Sequence, residues 1–411
     1  MTKEFIDFVK KHLHDDTSRL LLSAARYPSI DMPAAVRQIE GIRTAQDKWP
    51  SLLDYDDFIF PPRLNREQSS SETTAEYKAS LIAPLCNGKE HVSIADLTGG
   101  MGIDSLKFAH PLEPNGATTH VDYVDRAPEL CHLMEHNRNT MGLKNVAVHC
   151  GDSMEWVAAC ASQFDLLYID PARRSQTGRK VAAFEECEPN ILHHLPLLLS
   201  RCRWLLVKAS PMIDLDRAIS QLGAVAEVHI VAVKGECKEV LFLCGRHDGE
   251  PLLHCVNIAA GKTDQYTFSR SDEQAAEPQY CAAAKNYIYE PDASLMKGGP
   301  FNLLCHWLDI EKLSRNTHLY TADTLIEAFP GRTFRVLAEV HLNRKEISRA
   351  IPDGKAHVVT RNYPVEADAL QRQLGLKEGG RLFILATTVG SRKTGYLCCR
   401  PGEESDFLKA K

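Results

Sequence analysis

Four acids recur at the ends of apolar runs in the middle of this chain, and a glycine-rich turn follows the first. They are Asp96, Asp125, Asp152 and Asp170, with Gly99-Gly100-Met101-Gly102 after Asp96-Leu97-Thr98. Glycines let a backbone approach a ligand closely, and a helix opening behind them offers free N–H groups. Such a turn is a cradle for a nucleotide-like ligand. It is not a dinucleotide fingerprint, because Ser105 stands where the last glycine would be, and no phosphate-binding lysine followed by Ser or Thr is present. Asp125 can accept two hydrogen bonds from the vicinal diol of a ribose. Taken singly, Asp125 and Asp152 read equally well as helix caps.

The elements that position these groups alternate. Val92 and Ile94 mark a strand before the turn, and Ile103, Leu106 and Phe108 a helix after it. Further strands are expected at Thr119 to Asp125, Val146 to Val148, Phe164 to Ile169 and Trp204 to Val207. Strands separated by helical segments imply an α/β fold with a parallel sheet and crossover helices. Functional groups on successive strand ends then lie along one edge, where open α/β sheets bind ligands.

The run D-x-T-x-G-x-G from Asp96 to Gly102 resembles the first motif of class I S-adenosylmethionine (SAM) methyltransferases. The resemblance implies a Rossmann-like core, a seven-stranded mixed sheet over residues 91–245. Val225 to Ala232 and Glu239 to Cys244 would be its closing hairpin. It also implies cofactor contacts from Asp96 (toward the methionine ammonium), Thr98, Gly100, Gly102, Asp125, Arg126, Asp152 (toward the adenine amino group) and Ser153.

Ser70-Ser71-Glu72-Thr73-Thr74-Ala75 reads as a helix start with a serine cap. Its S-x-E-x-x-A pattern also resembles the lead-in to the catalytic domain of trimethylguanosine synthases, where that segment lies near the cofactor pocket. Y-x-Y-E-P-D-A-S at Tyr287 to Ser294, F-P-G-R at Phe329 to Arg332 and Arg361-Asn362-Tyr363-Pro364 extend the likeness. They resemble a bacterial family with a methyltransferase core, a ferredoxin-like insert and a C-terminal THUMP-like domain. The organisation expected is an N-terminal helical region over 1–90, the core, an extension and polar linker over 246–280, and small α+β domains over 281–330 and 331–400. THUMP domains bind structured RNA, so the resemblance implies an RNA partner, a tRNA or an rRNA.

At 411 residues with 44% hydrophobic content the chain has ample material for more than one core. Its formal charge of -6 excludes an electrostatically obvious nucleic-acid binder. From Gly331 onward, however, 15 Lys and Arg face 9 Asp and Glu, a local +6 that suits a polyanion or simply a solvated surface. No signal segment or 18-residue apolar run occurs, so a cytoplasmic, membrane-free protein is expected. The 13 cysteines lack C-x-x-C pairs and read as reduced thiols. His132 and His136 have no further ligand at useful spacing, so no metal is expected.

Asp170-Pro171-Ala172-Arg173 resembles the D/N-P-P-aromatic motif of enzymes that methylate exocyclic amino groups of bases. By that resemblance Asp170 and the Pro171 carbonyl would accept the two N–H bonds of the amino group. Ala172 replaces the second proline, and Arg173 replaces the aromatic residue. Arg173 and Arg174 can stack on a base, hold phosphates, or pair with Glu185 or Glu186. Tyr168 and Phe184 are other stacking candidates. No cysteine stands where cytosine-C5 chemistry needs its nucleophile. The leading expectation is RNA base N-methylation, guanine N2 preferred. A small-molecule or protein methyltransferase and a non-catalytic SAM-binding RNA adaptor are the alternatives.

Overall fold

A computed structural model of the protein describes residues 1–86, 88–110, 116–173 and 184–408. They form two units, Met1–Val228 with Glu239–Gly249, and His229–Lys238 with Glu250–Lys411.

The first unit opens with helices. α1 (Lys3–Lys11) and α2 (Thr17–Leu22) bury Phe8, Val9 and Leu20 with Met32, Ala35, Val36 and Ile39 of α3 (Met32–Lys48). The chain then extends to Pro62, where Asn137 holds both the N–H and the carbonyl of Ile59 at 2.8 and 2.9 Å. α4 (Arg63–Gln68) and α5 (Glu72–Ser80) follow, then α6 (Ile82–Leu85). The turn before α5 is pinned from beneath, because the buried Trp49 Nε1 donates to the Ser70 carbonyl at 2.7 Å. Ser71 caps α5 as its sequence predicts, accepting from the Thr74 N–H at 3.2 Å.

The alternation that follows is β1 (His91–Asp96), α7 (Ile103–Phe108), β2 (Thr118–Asp125), α8 (Pro128–Thr140), β3 (Val146–Cys150), α9 (Ser153–Ala159) and β4 (Phe164–Ile169). A two-stranded ribbon of β5 (Ala172–Arg173) and β6 (Cys187–Glu188) comes next. It leads to α10 (Ile191–Arg201), β7 (Cys202–Ala209), α11 (Leu215–Leu222), β8 (Val225–Val233) and β9 (Glu236–Gly245). Strands β3, β2, β1, β4 and β7 are parallel neighbours in that order, and β9 is antiparallel to β7. With β8 beside β9, these seven strands have the order of a class I methyltransferase sheet, and two later strands beyond β8 bring the sheet to nine where seven were expected. Every residue of β4 is buried, as a central parallel strand covered on both faces requires. The chain leaves β1 toward β2 on one side and reaches β4 on the other. The strand ends of β1 and β4 therefore flank the switch point where such sheets open a crevice.

Residues 225–228 of β8 lie in the first unit and the rest of it in the second. There β10 (Leu252–Ala259) pairs antiparallel with β11 (Lys262–Phe268), and α12 (Arg270–Ala275) follows behind a capping box of Ser269 and Asp272. The linker expected within 246–280 is therefore a strand and a helix. β11 exposes most of its length, so it lacks the alternation that marks a half-buried strand in sequence. β12 (Tyr287–Pro291), α13 (Ala293–Gly298), α14 (Leu303–Leu308), β13 (Glu311–Ser314) and β14 (Thr317–Ala322) come next. They are followed by β15 (Gly331–Val340), α15 (Arg344–Ala350), β16 (His357–Arg361), α16 (Ala367–Leu374), β17 (Phe383–Val389) and β18 (Arg392–Cys399). The strands from both segments join one sheet, ordered β13-β14-β12-β15-β18-β17-β16. Its motif residues clasp one another. The buried Glu290 carboxylate takes Arg332 Nε at 2.7 Å and Arg361 Nε at 2.6 Å. A Cβ on Gly331 would lie 2.1 Å from the Glu290 carbonyl, so only glycine fits between them.

Candidate functional site

A cleft of about 1210 Å³ opens in the first unit at the C-terminal ends of β1, β2, β3 and β4. The loop from Leu97 to Gly102 forms its floor, and Asp125, Asp152 and Asp170 stand in its wall. The far side carries Asn65, Gln68, Ser69 and Ser70 and, across the ribbon, Glu188, Asn190, His193 and His194.

The glycine loop is built by close approach. Gly100 and Gly102 have φ of +55° and +84°, where a side chain is strained. A Cβ on Gly99 would lie 2.2 Å from the Tyr123 ring. The Tyr123 hydroxyl donates to the Gly100 carbonyl at 2.7 Å, and the Gly100 N–H donates to Asp125 Oδ2 at 2.8 Å. The glycine loop and the acid of β2 are thus one hydrogen-bonded assembly.

Asp125 also accepts from the Ala127 N–H at 2.8 Å through Oδ1. It is half-buried and lines the cleft, with spare lone pairs on both oxygens. The exposed Arg126 lines the cleft beside it and pairs with Glu188. Asp152 caps α9, accepting from the Met154 and Glu155 N–H groups at 2.8 and 3.0 Å through Oδ1. The cap reading and the cleft position hold together, because no group among the described residues donates to Oδ2. Ser153, the first residue of that helix, is on the same wall.

Asp96 behaves differently. It is 1% exposed and is not among the residues lining the cleft. Its carboxylate accepts from Ser105 Oγ at 2.6 Å and from the Thr98 N–H at 3.1 Å. Burial, against these hydrogen bonds, pushes its pKa up to about 7. The side chain turns under the loop and fastens its two ends. Thr98 in turn reaches across to β4, where its Oγ1 accepts from the Asp170 N–H at 2.7 Å.

Behind Asp170 lies a buried network that sequence reasoning missed. Lys208, at the end of β7, donates to Asp170 Oδ2 at 2.6 Å and stands 4.0 Å from Glu239 Oε2. Lys78 of α5 is wholly buried and holds both Glu239 oxygens at 2.8 and 2.9 Å, with Asp104 Oδ1 at 3.2 Å. Asp104 Oδ2 accepts from Ser70 Oγ at 2.7 Å and from the Tyr168 hydroxyl at 2.9 Å. Burial alone would raise the Asp104 carboxyl, but the Lys78 and Lys208 charges take it below the ordinary value. Burial works to lower the Lys208 ammonium, yet the charges of Asp170, Glu239 and Asp104 raise it. Lys208 and Glu239 each flank an apolar run and read in sequence as strand ends, so only that placement hinted at a role.

The stacking candidates fare unevenly. Tyr168 and Phe184 are each 1% exposed. Tyr168 packs edge-on to Phe108 at 5.4 Å and Phe184 to Phe242 at 5.8 Å, so both belong to the core and neither lines the cleft. Glu185 is taken by Arg217 at 2.7 Å. Arg173 belongs to β5, and Arg174 lies outside the described residues. Pro171 and Ala172 line the cleft beside Asp170. His136 is held by the Asp57 carbonyl at 2.8 Å.

The lining fits a cation. Asp104, Asp125, Asp152, Glu155, Asp170 and Glu188 face a single arginine, Arg126, among the described residues there. SAM carries a sulfonium and an ammonium group, and the cleft is larger than one cofactor needs, which leaves room for an acceptor group. No helix among the described residues is long and apolar enough to cross a membrane.

Comparison with known proteins places this geometry. Residues 287–330 match a ferredoxin-like domain family and residues 331–401 a THUMP domain-like family. Proteins from two strains of Mycobacterium tuberculosis, both described as uncharacterized S-adenosylmethionine-dependent methyltransferases, are each 25% identical over 241 residues. The match covers 57% of this chain and 64% of theirs, a little under two thirds of the relatives' length. The crystal structure of a candidate methyltransferase from Porphyromonas gingivalis is 27% identical, with a TM-score of 0.81 over 97% of this chain and 98% of that one. The chain thus has the class I methyltransferase fold, followed by segments that match a ferredoxin-like and a THUMP-like domain, the architecture it shares with the Porphyromonas gingivalis structure.

Proposed function

We propose that this protein transfers a methyl group from SAM to an exocyclic amino group of a base in structured RNA, guanine N2 being the preferred acceptor and a tRNA or rRNA the molecule. The observation that carries the reading is the fixed Asp170 carboxylate in the cleft wall, followed directly by Pro171. Bound in the cleft, SAM supplies an electrophilic methyl group on sulfur. An exocyclic amino nitrogen is a poor nucleophile because its lone pair is delocalised into the ring. Asp170 and the Pro171 carbonyl, accepting its two N–H bonds, would turn that pair out of the plane. Asp170 would hold the nitrogen in line while a C–S bond is exchanged for the new N–C bond and the thioether is released, and would pass the surplus proton to water. Positioning and fixed charge do most of this work.

The THUMP-like match and the local +6 from Gly331 onward support RNA as the partner. The acidic cleft repels phosphate, so an extruded base and not the backbone is what it would admit. We assign Asp96, Thr98, Gly100, Gly102, Asp125, Arg126, Asp152 and Ser153 to cofactor binding, Asp96 acting from beneath the loop. Arg173 and Arg174 are assigned to the RNA.

Asp125→Ala is expected to weaken SAM binding by about 1–3 kcal/mol, the scale of hydrogen bonds lost to a charged acceptor. Titration calorimetry checks it, and unchanged affinity would remove Asp125 from the cofactor site. The function itself is tested with radiolabelled SAM and total RNA from cells lacking the gene, followed by mass analysis of the nucleosides. Label in N2-methylguanosine is expected. Label only in protein or small molecules would overturn the RNA reading.

A further inference from the structure

We propose that Lys208 is a positioning residue for methyl transfer. It clamps Asp170 by Oδ2 and thereby presents Oδ1 to the acceptor amino group. The inference rests on the role given to Asp170 above.

The buried charges divide unequally. Lys78 satisfies both oxygens of Glu239 and reaches Asp104, so the two core acids already share a cation. Lys208 lies 4.0 Å from Glu239 but 2.6 Å from Asp170, so its short contact is to the acid in the cleft wall. Among the described residues nothing donates to Asp170 Oδ1. The backbone of Asp170 is fixed separately, by its N–H on Thr98 Oγ1 at 2.7 Å. A hold on the main chain from β1's loop and a hold on the side chain from β7 leave the carboxylate little freedom to rotate. That constraint is what an electrostatic group acting on a developing charge needs, because an oriented group costs no reorganisation during reaction. Lys208 is itself anchored, 87% of its side chain being covered and its ammonium facing Ser70 Oγ at 3.4 Å. Ser70 also binds Asp104 and lines the cleft, so the lead-in segment before α5 reaches the reacting carboxylate through this lysine.

A purely structural lysine and a positioning lysine predict different results. Loss of a structural cation would loosen the unit and weaken SAM binding. Loss of a positioning cation from behind the wall of an acidic cleft leaves the affinity for cationic SAM unchanged or higher.

The test uses the full chain as wild type, Lys208→Met, Asp170→Ala and the double variant. Initial rates are measured with radiolabelled SAM against increasing total RNA from cells lacking the gene, with SAM affinity by calorimetry and melting in parallel. Lys208→Met is expected to lower the maximal rate about 10- to 100-fold. The apparent KM for RNA and the Kd for SAM should stay within about threefold of wild type. The double variant should be no slower than Asp170→Ala, because a residue acting through Asp170 has nothing left to position. Multiplicative rate losses in the double variant, or a wild-type rate in Lys208→Met beside an impaired Asp170→Ala, would overturn the inference alone. A wild-type rate in Asp170→Ala would overturn the Asp170 reading itself. If Lys208→Met melts and loses SAM, Lys208→Arg decides. It keeps the charge with a different reach, and a rate reduced severalfold at unchanged SAM affinity is expected, while a wild-type rate would overturn the proposal.

Discussion

Asp170→Ala is expected to reduce methyl transfer to RNA by about 10²-fold or more, the scale for removing one oriented electrostatic group. SAM affinity should change far less, because Asp125, Asp152 and the glycine loop stand elsewhere in the cleft wall. The carboxylate is half-covered, with one oxygen on Lys208 at 2.6 Å, so its loss leaves a partly buried ammonium without its nearest anion. A modest loss of stability therefore accompanies the loss of rate. Asp170→Asn is the sharper comparison. It keeps one acceptor oxygen and loses the charge, so partial activity is expected if orientation outweighs charge. Single-turnover rates on a verified RNA substrate, set beside calorimetric SAM affinity, separate the two. Wild-type turnover in Asp170→Ala would exclude the amino-methylation mechanism.

The second large effect is on stability. Lys78 has no exposed surface and serves two buried acids, Glu239 and Asp104. Lys78→Met should cost about 3–5 kcal/mol, because removing one partner of a buried ion pair strands the other charge. The readout is the denaturant midpoint for the first unit, followed by near-UV circular dichroism. Lys78→Met with Glu239→Gln should recover part of the loss, since it removes a stranded charge along with its partner. If Lys78→Met were as stable as wild type, the network would be a solvated cluster and not a buried one.

Much of the fold was legible. The acid-terminated apolar runs and the glycine turn marked a parallel α/β sheet, because strand period and turn chemistry are local properties of sequence, and the resemblance of the D-x-T-x-G-x-G run marked it as the methyltransferase kind. The edge strand β11 was not legible, since a strand exposed for most of its length carries no alternation. The motifs Y-x-Y-E-P-D, F-P-G-R and R-N-Y-P marked the second unit by resemblance. Their physical content, one buried glutamate holding two arginines, emerged only when the strands were side by side.

The sequence by itself determined the class of the fold, the order of its elements and the acids at its strand ends. Tertiary structure decided which of those acids faces the cleft. Asp96, first in the motif, turns under its own loop because Ser105 and the Thr98 N–H capture both its oxygens. Asp170 stays in the wall, held by a lysine 38 residues away. Lys78 and Glu239 meet across 161 residues of chain. No local pattern encodes such a meeting. It depends on sheet order and on the direction each side chain takes from its element, and a lone charge beside an apolar run looks the same in sequence whether it ends a strand or completes a site.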